Sequence, residues 1–384
     1  MTVTSPKGFT ASGIAAGIKA SGRPDLALVV NEGPLQSAAA VFTSNRIFAA
    51  PVAWSRAAVV DGELHAVVLN SGGANACTGD AGHADSVATA EQVAAVTGCD
   101  VNQVGVCSTG LIGVRLPMGA LLPGVVAAAG ALSAEGGLDA ARAIMTTDTV
   151  PKTAAYTDPA GWSVGGMAKG AGMLAPALAT MLVVVTTDAE ITAMALDKAL
   201  RTATSLTFDR LDSDGCMSTN DTVFALASGA SGVRPDQDAF TTALARVCHS
   251  LAQQLLSDAE GSAHDIAITV KGASCEADAL EVARSIARNN LFKCAIFGND
   301  PNWGRVLAAL GTTSAAYDPA DLDVWFNGVE VYHAGAIGAD RSLVDLTPRA
   351  CEVVVDLHVG KAAATIYTND LTYDYVKENA EYSS

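Results

Sequence analysis

No two of the eight cysteines, at positions 77, 99, 107, 216, 248, 275, 294 and 351, form a C-x-x-C pair, and no cluster of them would assemble a tetrahedral metal site. They read as reduced, mostly buried thiols. The six histidines are scattered and add no ligand set, so no metal is expected. Basic residues are scarce as well: 23 Lys and Arg stand against 40 Asp and Glu, a formal net charge of −17. The field of so acidic a chain repels nucleic acid and anionic membranes alike. Neither G-x-G-x-x-G nor G-x-x-x-x-G-K-[ST] occurs at a strand-to-helix junction, so the glycine turn Asn70-Ser71-Gly72-Gly73 is not a phosphate loop and no nucleotide cofactor is expected. The start, Met1 to Phe9, has no basic region followed by an apolar segment, which gives no secretory signal and leads to the expectation of a cytoplasmic location. There is no low-complexity segment, charge block or internal repeat.

A chain of 384 residues, 50% hydrophobic and 16% charged, has ample material for a large core in one large or two medium domains. Strand and helix signals alternate, which is the pattern of a mixed α/β protein. Strands are expected at Leu26–Val30, Ala66–Leu69, Gly105–Cys107, Met181–Val185, Asp265–Val270, Asp323–Phe326 and Glu352–Leu357. Helical periodicity covers His83–Val96, Ile191–Thr204, Asp236–Ser257 and Cys275–Asn289. Residues 128–140, rich in Ala and Gly, read equally as helix or surface excursion. Leu310-Gly311-Thr312-Thr313-Ser314 and Tyr317-Asp318-Pro319 mark a boundary between a main unit, 1–310, and a smaller C-terminal unit, 311–384.

From Gly170 to Thr187 runs an uncharged stretch of 18 residues, long enough to raise the question of a membrane span. Two glycines, Pro176 and the pair Thr186-Thr187 break it, and Val183 to Val185 read as a short strand buried on both faces. A loop of small residues therefore delivers Thr180 to the start of a core strand. Were the Ala179–Thr180 bond cleaved, Thr180 would carry its own general base, an α-amine titrating near pH 8. Residue pattern alone leaves open an ordinary strand-opening threonine. Asp209, Asp212, Asp214 and Asp221 imitate a calcium loop, but the glycine falls at 215 and no glutamate closes the pattern, so a polar loop is expected.

The segment from Lys169 to Ala189 closely resembles the self-cleavage signature of the ornithine acetyltransferase family, which reads K-G-small-G-M, a proline, then A-T-M-L and T-T-D-A. Further segments resemble the family in the same order: Asn70 to Ala76, Cys107 to Gly113, Ile144 to Thr149, Ser218 to Thr222 and Asp300 to Val306. The resemblance covers essentially the whole chain. It implies a layered α/β sandwich of the self-processing, N-terminal-nucleophile-like type with a smaller C-terminal α/β unit, cut between Ala179 and Thr180 into chains 1–179 and 180–384. It further implies a dimer of such two-chain protomers and an enzyme that needs no cofactor.

The implied activity is acetyl transfer from N2-acetylornithine to glutamate, in arginine biosynthesis, through an acetyl ester on Thr180. Some members also use acetyl-CoA, and the residues do not decide that choice. Thr109 and Gly110 match the oxyanion hole, and the turn Ser108-Thr109-Gly110 after an apolar strand suits that role, although a ligand-free turn has the same letters. Lys169 matches a position that holds a carboxylate or tunes proton transfer, and Glu260 one that pairs with the ornithine δ-ammonium; a solvated lysine and a solvated loop carboxylate are the plain alternatives. Thr146, Asn379 and Ser384 match further substrate-binding positions, the last two in a terminal segment that resembles one folding into the active site. After Gly261 the chain departs from the family, with Ser262-Ala263-His264 where a threonine and a lysine are usual. Two other functions remain open on sequence: an autoprocessed aminopeptidase or N-acyl hydrolase of similar architecture, and an uncleaved small-molecule binding protein.

Overall fold

A computed structural model describes residues 1–174 and 181–381. Two sheets lie face to face at its centre. The first, in order β1-β2-β4-β5, is built from Phe9–Ile14, Leu26–Asn31, Ala66–Ser71 and Val104–Thr109. Its strands pair antiparallel except β4 with β5, which run parallel with Ser71 opposite Thr109. The second, in order β3-β9-β8-β7-β6, uses Ser37–Phe42, Thr222–Ala227, Leu182–Thr187, Ser163–Lys169 and Lys152–Thr157; only β8 and β9 are parallel.

The alternation of side chains along a strand explains why the first four residues of β8, Leu182 to Val185, are all apolar. Leu182 and Val184 point into the core between the two sheets with Val67, Leu69 and Phe224, whereas Val183 and Val185 point outward into a second core. That outer core is closed by α5, Ala193–Leu206, and α6, Gln237–Ser257. Phe240, Leu244, Val247, Leu251 and Leu255 form the buried stripe of α6, and Asp236 caps its start by accepting from the Asp238 and Ala239 amides. The opposite flank of the first sheet is covered by α2, Gly79–Thr97, and α3, Met118–Gly130. The result is a four-layer sandwich with helices outside and two sheets within. Two shorter helices complete this half: α1, Ala50–Ala58, and α4, Gly137–Ala143.

A third sheet, in order β13-β12-β11-β14-β10-β15, takes its strands from Ala336–Ile337, Val329–His333, Asp323–Phe326, Ala350–Asp356, Asp265–Ala273 and Ala362–Asn369. It shares one apolar core with α7, Glu276–Ala287, α8, Asn290–Phe297, and α9, Trp303–Leu310. The last helix, α10, is Tyr373–Glu381.

Every strand and helix read from sequence is present, with ends moved by a few residues; the strand expected at Met181–Val185 runs Leu182–Thr187. Residues 128–140 resolve into the end of α3, a turn, and the start of α4. The expected boundary at 310 does not divide two cores. It joins α9 to β11 within one, because β10 pairs with both β14 and β15 and so ties 265–310 to the C-terminal elements. Nor are the cysteines mostly buried: Cys107, Cys248 and Cys351 are, whereas Cys77, Cys216, Cys275 and Cys294 are exposed.

Candidate active site

The ends of β4, β5, β8 and β9 meet at one edge of the sandwich, and polar side chains lock their loops together. Ser108 Oγ donates to Asn70 Oδ1 at 2.6 Å, and the Asn70 amide donates to Gly73 O at 3.1 Å. Asn220, just before β9, donates to both Ala74 O and Ser108 O at 2.6 and 2.8 Å. Gly110 leaves β5 at φ +132°, where a Cβ would stand 2.7 Å from Gly73 N, so this turn accepts glycine alone. The geometry fixes Thr109 and Gly110 at the mouth of the two parallel strands.

Lys169, the last residue of β7, is buried beside them and donates from Nζ to Thr109 Oγ1 at 3.2 Å. Burial lowers its pKa, against the opposing pull of Asp148, Asp221 and Glu260, and Lys152 lowers it further. Across the loop, Asp221 accepts from Met181 N at 3.1 Å, the amide on the carboxyl side of Thr180. Asp221 is wholly buried and its Oδ2 has no hydrogen-bond partner among the described residues. Burial raises its carboxyl well above the usual range, despite the Met181 amide, Ser218 and Lys169.

A buried ion cluster connects this edge to a cavity of about 660 Å³. Asp148 Oδ1 accepts from Gly170 N at 2.7 Å and from Lys152 Nζ at 2.6 Å, while its Oδ2 accepts from Thr146 N at 2.9 Å. Lys152 Nζ also reaches Asp258 Oδ2 at 2.5 Å. Burial alone would raise the Asp148 carboxyl, but Lys169, Lys152 and the Gly170 amide outweigh it and bring it down to about 2. Thr146 and Glu260 line the cavity, joined by Asn379 of α10, whose amide donates to Glu260 Oε2 at 3.1 Å.

The loop that departs from the family pattern is firmly held. Asp370 accepts from the Ala263 and His264 amides and from His264 Nδ1, at 2.9, 2.9 and 2.7 Å. Glu260 N donates to Ala171 O at 3.0 Å, and Gly261 at φ +60° lets α10 approach, since a Cβ there would lie 2.2 Å from Tyr375 N.

The structure thus brings Thr109, Gly110 and Lys169 together at the strand ends, and Thr146, Glu260 and Asn379 together around the cavity. Ala179, Thr180 and Ser384 lie outside the described residues. Sequence reasoning missed Asp148, Lys152, Asp258 and the role of Asp221. The spacing of Asp148 and Lys152 was the one local signal, since Asp258 is remote in sequence. The acidic loop disperses: Asp212 pairs with Arg288, Asp214 accepts from the Cys216 amide, and Asp221 serves Met181. Sequence also gave no sign of a cluster on the third sheet, where His333 Nδ1 lies 3.0 Å from Asp323 and 3.1 Å from Glu330.

Among the described residues no helix is long and apolar enough to cross a membrane. Residues 10–384 match the ArgJ family. The arginine biosynthesis bifunctional protein ArgJ of Streptomyces coelicolor is 64% identical, and that of Thermobifida fusca 58%, each alignment covering all of both chains. Among solved structures, an ornithine acetyltransferase complexed with ornithine from Mycobacterium tuberculosis is 56% identical over 47% of this chain and 96% of that one, with a TM-score of 0.46. Matched from residue 10 to residue 384 and aligned over its full length with such relatives, the chain belongs to the ArgJ family.

Proposed function

We propose that the chain moves the acetyl group of N2-acetylornithine to glutamate in arginine biosynthesis, after cutting itself between Ala179 and Thr180. Full-length membership of a family whose relatives are named as bifunctional arginine biosynthesis proteins carries the reading. The convergence of Thr109, Gly110 and Lys169 beside the Met181 amide supports it. In self-cleavage the Thr180 hydroxyl attacks the Ala179 carbonyl carbon, the carbon–nitrogen bond breaks, and the nitrogen takes the hydroxyl proton. Water then hydrolyses the ester, releasing the Ala179 carboxylate and restoring the Thr180 hydroxyl beside its free α-amine.

In turnover that amine takes the hydroxyl proton as Oγ1 attacks the acetyl carbon. Thr109 and Gly110 supply the donors for the oxyanion, each worth about 3 kcal/mol in acyl transfer. Ornithine leaves with the proton, and the α-amine of glutamate collects the acetyl group from Thr180. Lys169, buried against Thr109, holds the substrate carboxylate or tunes proton transfer at Thr180. Glu260 faces the cavity and receives the δ-ammonium of ornithine, with Thr146 and Asn379 beside it in the wall, and Ser384 is carried over as a further substrate-binding residue. The working particle on this reading is a cytoplasmic dimer of two-chain protomers that needs no cofactor.

Intact-mass spectrometry of denatured, untagged protein tests the first step: wild type gives two fragments meeting at Ala179/Thr180, and Thr180→Ala stays whole. An intact wild-type chain would overturn the reading. N-acetylglutamate formed from N-acetylornithine, as opposed to free acetate, separates transferase from hydrolase, and acetyl-CoA offered as donor in the same assay decides whether it too is used.

A further inference from the structure

One cavity must receive two unlike substrates in turn if the proposed reaction holds. N-acetylornithine brings an ammonium at its far end; glutamate brings a second carboxylate. The walls suit the first and not the second. Asp148 and Asp258 are already paired with Lys152, but Glu260, Glu378 and Glu381 remain, and among the described lining residues Arg23 is the one cation. A free carboxylate entering among these glutamates is repelled unless that cation meets it.

Arg23 is held ready for this. The buried Asp25 carboxylate accepts from the Ala16, Ile18 and Lys19 amides at 2.6, 2.7 and 2.8 Å, which folds residues 16–25 into a tight loop. Lys19 Nζ then donates to Pro24 O at 3.2 Å and to Met145 O at 2.6 Å. The residue after Arg23 is thereby clipped to the residue before Thr146. Burial and the neighbouring Arg23 charge bring Lys19 down to about 8, in keeping with two cations gathered at one rim. The Arg23 side chain itself is exposed and has no hydrogen bond or ion pair among the described residues, so its guanidinium is free to take a ligand.

We propose that Arg23 selects the acetyl acceptor: its guanidinium pairs with the side-chain carboxylate of glutamate in the second half-reaction and contributes nothing to the donor's ammonium in the first. The assignment rests on the transferase reading above. In a two-step relay, kcat/KM for each substrate reports its own half-reaction, so the two can be separated.

The experiment measures kcat/KM for N-acetylornithine and for glutamate in the processed wild type, Arg23→Gln and Arg23→Lys, with glutamine as a neutral alternative acceptor. Arg23→Gln is expected to lower kcat/KM for glutamate by about tenfold or more, the effect of losing a charge-assisted hydrogen-bonded pair, and to leave N-acetylornithine within about twofold. Arg23→Lys recovers most of the loss, and the preference for glutamate over glutamine collapses in Arg23→Gln. Equal losses on both substrates, or no loss on glutamate, would overturn the assignment and leave the transferase reading standing. A processed wild type that transfers no acetyl group at all overturns both.

Discussion

Replacing Lys152 by methionine removes a cation that no solvent can substitute. Its side chain is wholly buried between Asp148, also wholly buried, and Asp258, which is 7% exposed. Methionine fills much the same volume, so the change isolates charge from packing. Two carboxylates are left facing one another without their shared partner, and breaking a buried pair in this way costs about 3 to 5 kcal/mol.

The shift of Asp148 gives an independent scale. A carboxyl brought from 3.8 to about 2 stabilises the fold by roughly 2 kcal/mol. Because the folded value is depressed, that contribution is complete above the unfolded value and is lost as pH falls through the folded one. In the variant the orphaned Asp148 carboxyl takes up its proton at higher pH than in wild type, and the stability gap therefore narrows on acidification. Urea midpoints at pH 7 and pH 4.5, with unchanged m-values, measure it. A gap below about 1 kcal/mol at pH 7, or one that widens toward pH 4.5, would refute the reasoning. Acetyl transfer should fall as well, since Asp148 is what holds Thr146 and Gly170.

Asp221→Asn keeps an acceptor for the Met181 amide and removes a buried acid whose folded pKa is raised. Such an acid retains its proton in the native state where the unfolded chain has lost it, so stability falls as pH rises above the unfolded value; the variant should melt higher than wild type at pH 8 and gain nothing at pH 4, and thermal scans showing a loss at pH 8 would contradict this. Gly261→Ala places a Cβ 2.2 Å from Tyr375 N and forces αL backbone on alanine, so α10 must retreat and part Asn379 from Glu260. Transfer should drop by about tenfold while the unfolding free energy from urea titration falls by no more than about 2 kcal/mol, and full kcat/KM would show that the helix is not needed.

Much of the fold could be read from residue order because local physics dictated it. Leu26–Asn31 and Leu182–Thr187 are buried on both faces and so carry the apolar runs Leu26–Val30 and Leu182–Val185. The 21-residue helix Gln237–Ser257 shows its cap and its stripe directly. Strand β7 was missed for an equally local reason. It carries Gly165-Gly166, which in isolation signals a turn, yet Gly165 is there because a Cβ would lie 2.3 Å from Thr2 O. The contact that makes glycine necessary is more than 160 residues away, beyond any window on the sequence.

The site divides along the same line. Thr180, Thr109, Gly110, Lys169 and Glu260 stand in runs whose letters resemble a family's, so the sequence by itself determined the family and the candidate nucleophile, along with the strand that begins beside it. Only the tertiary structure decided that Lys169 faces Thr109, that Lys152 joins Asp148 to Asp258, and that Asp25 and Lys19 hold Arg23 over an acidic cavity. Charge interactions act through space over a few ångströms and take no account of sequence separation, whereas backbone periodicity is written one residue after the next.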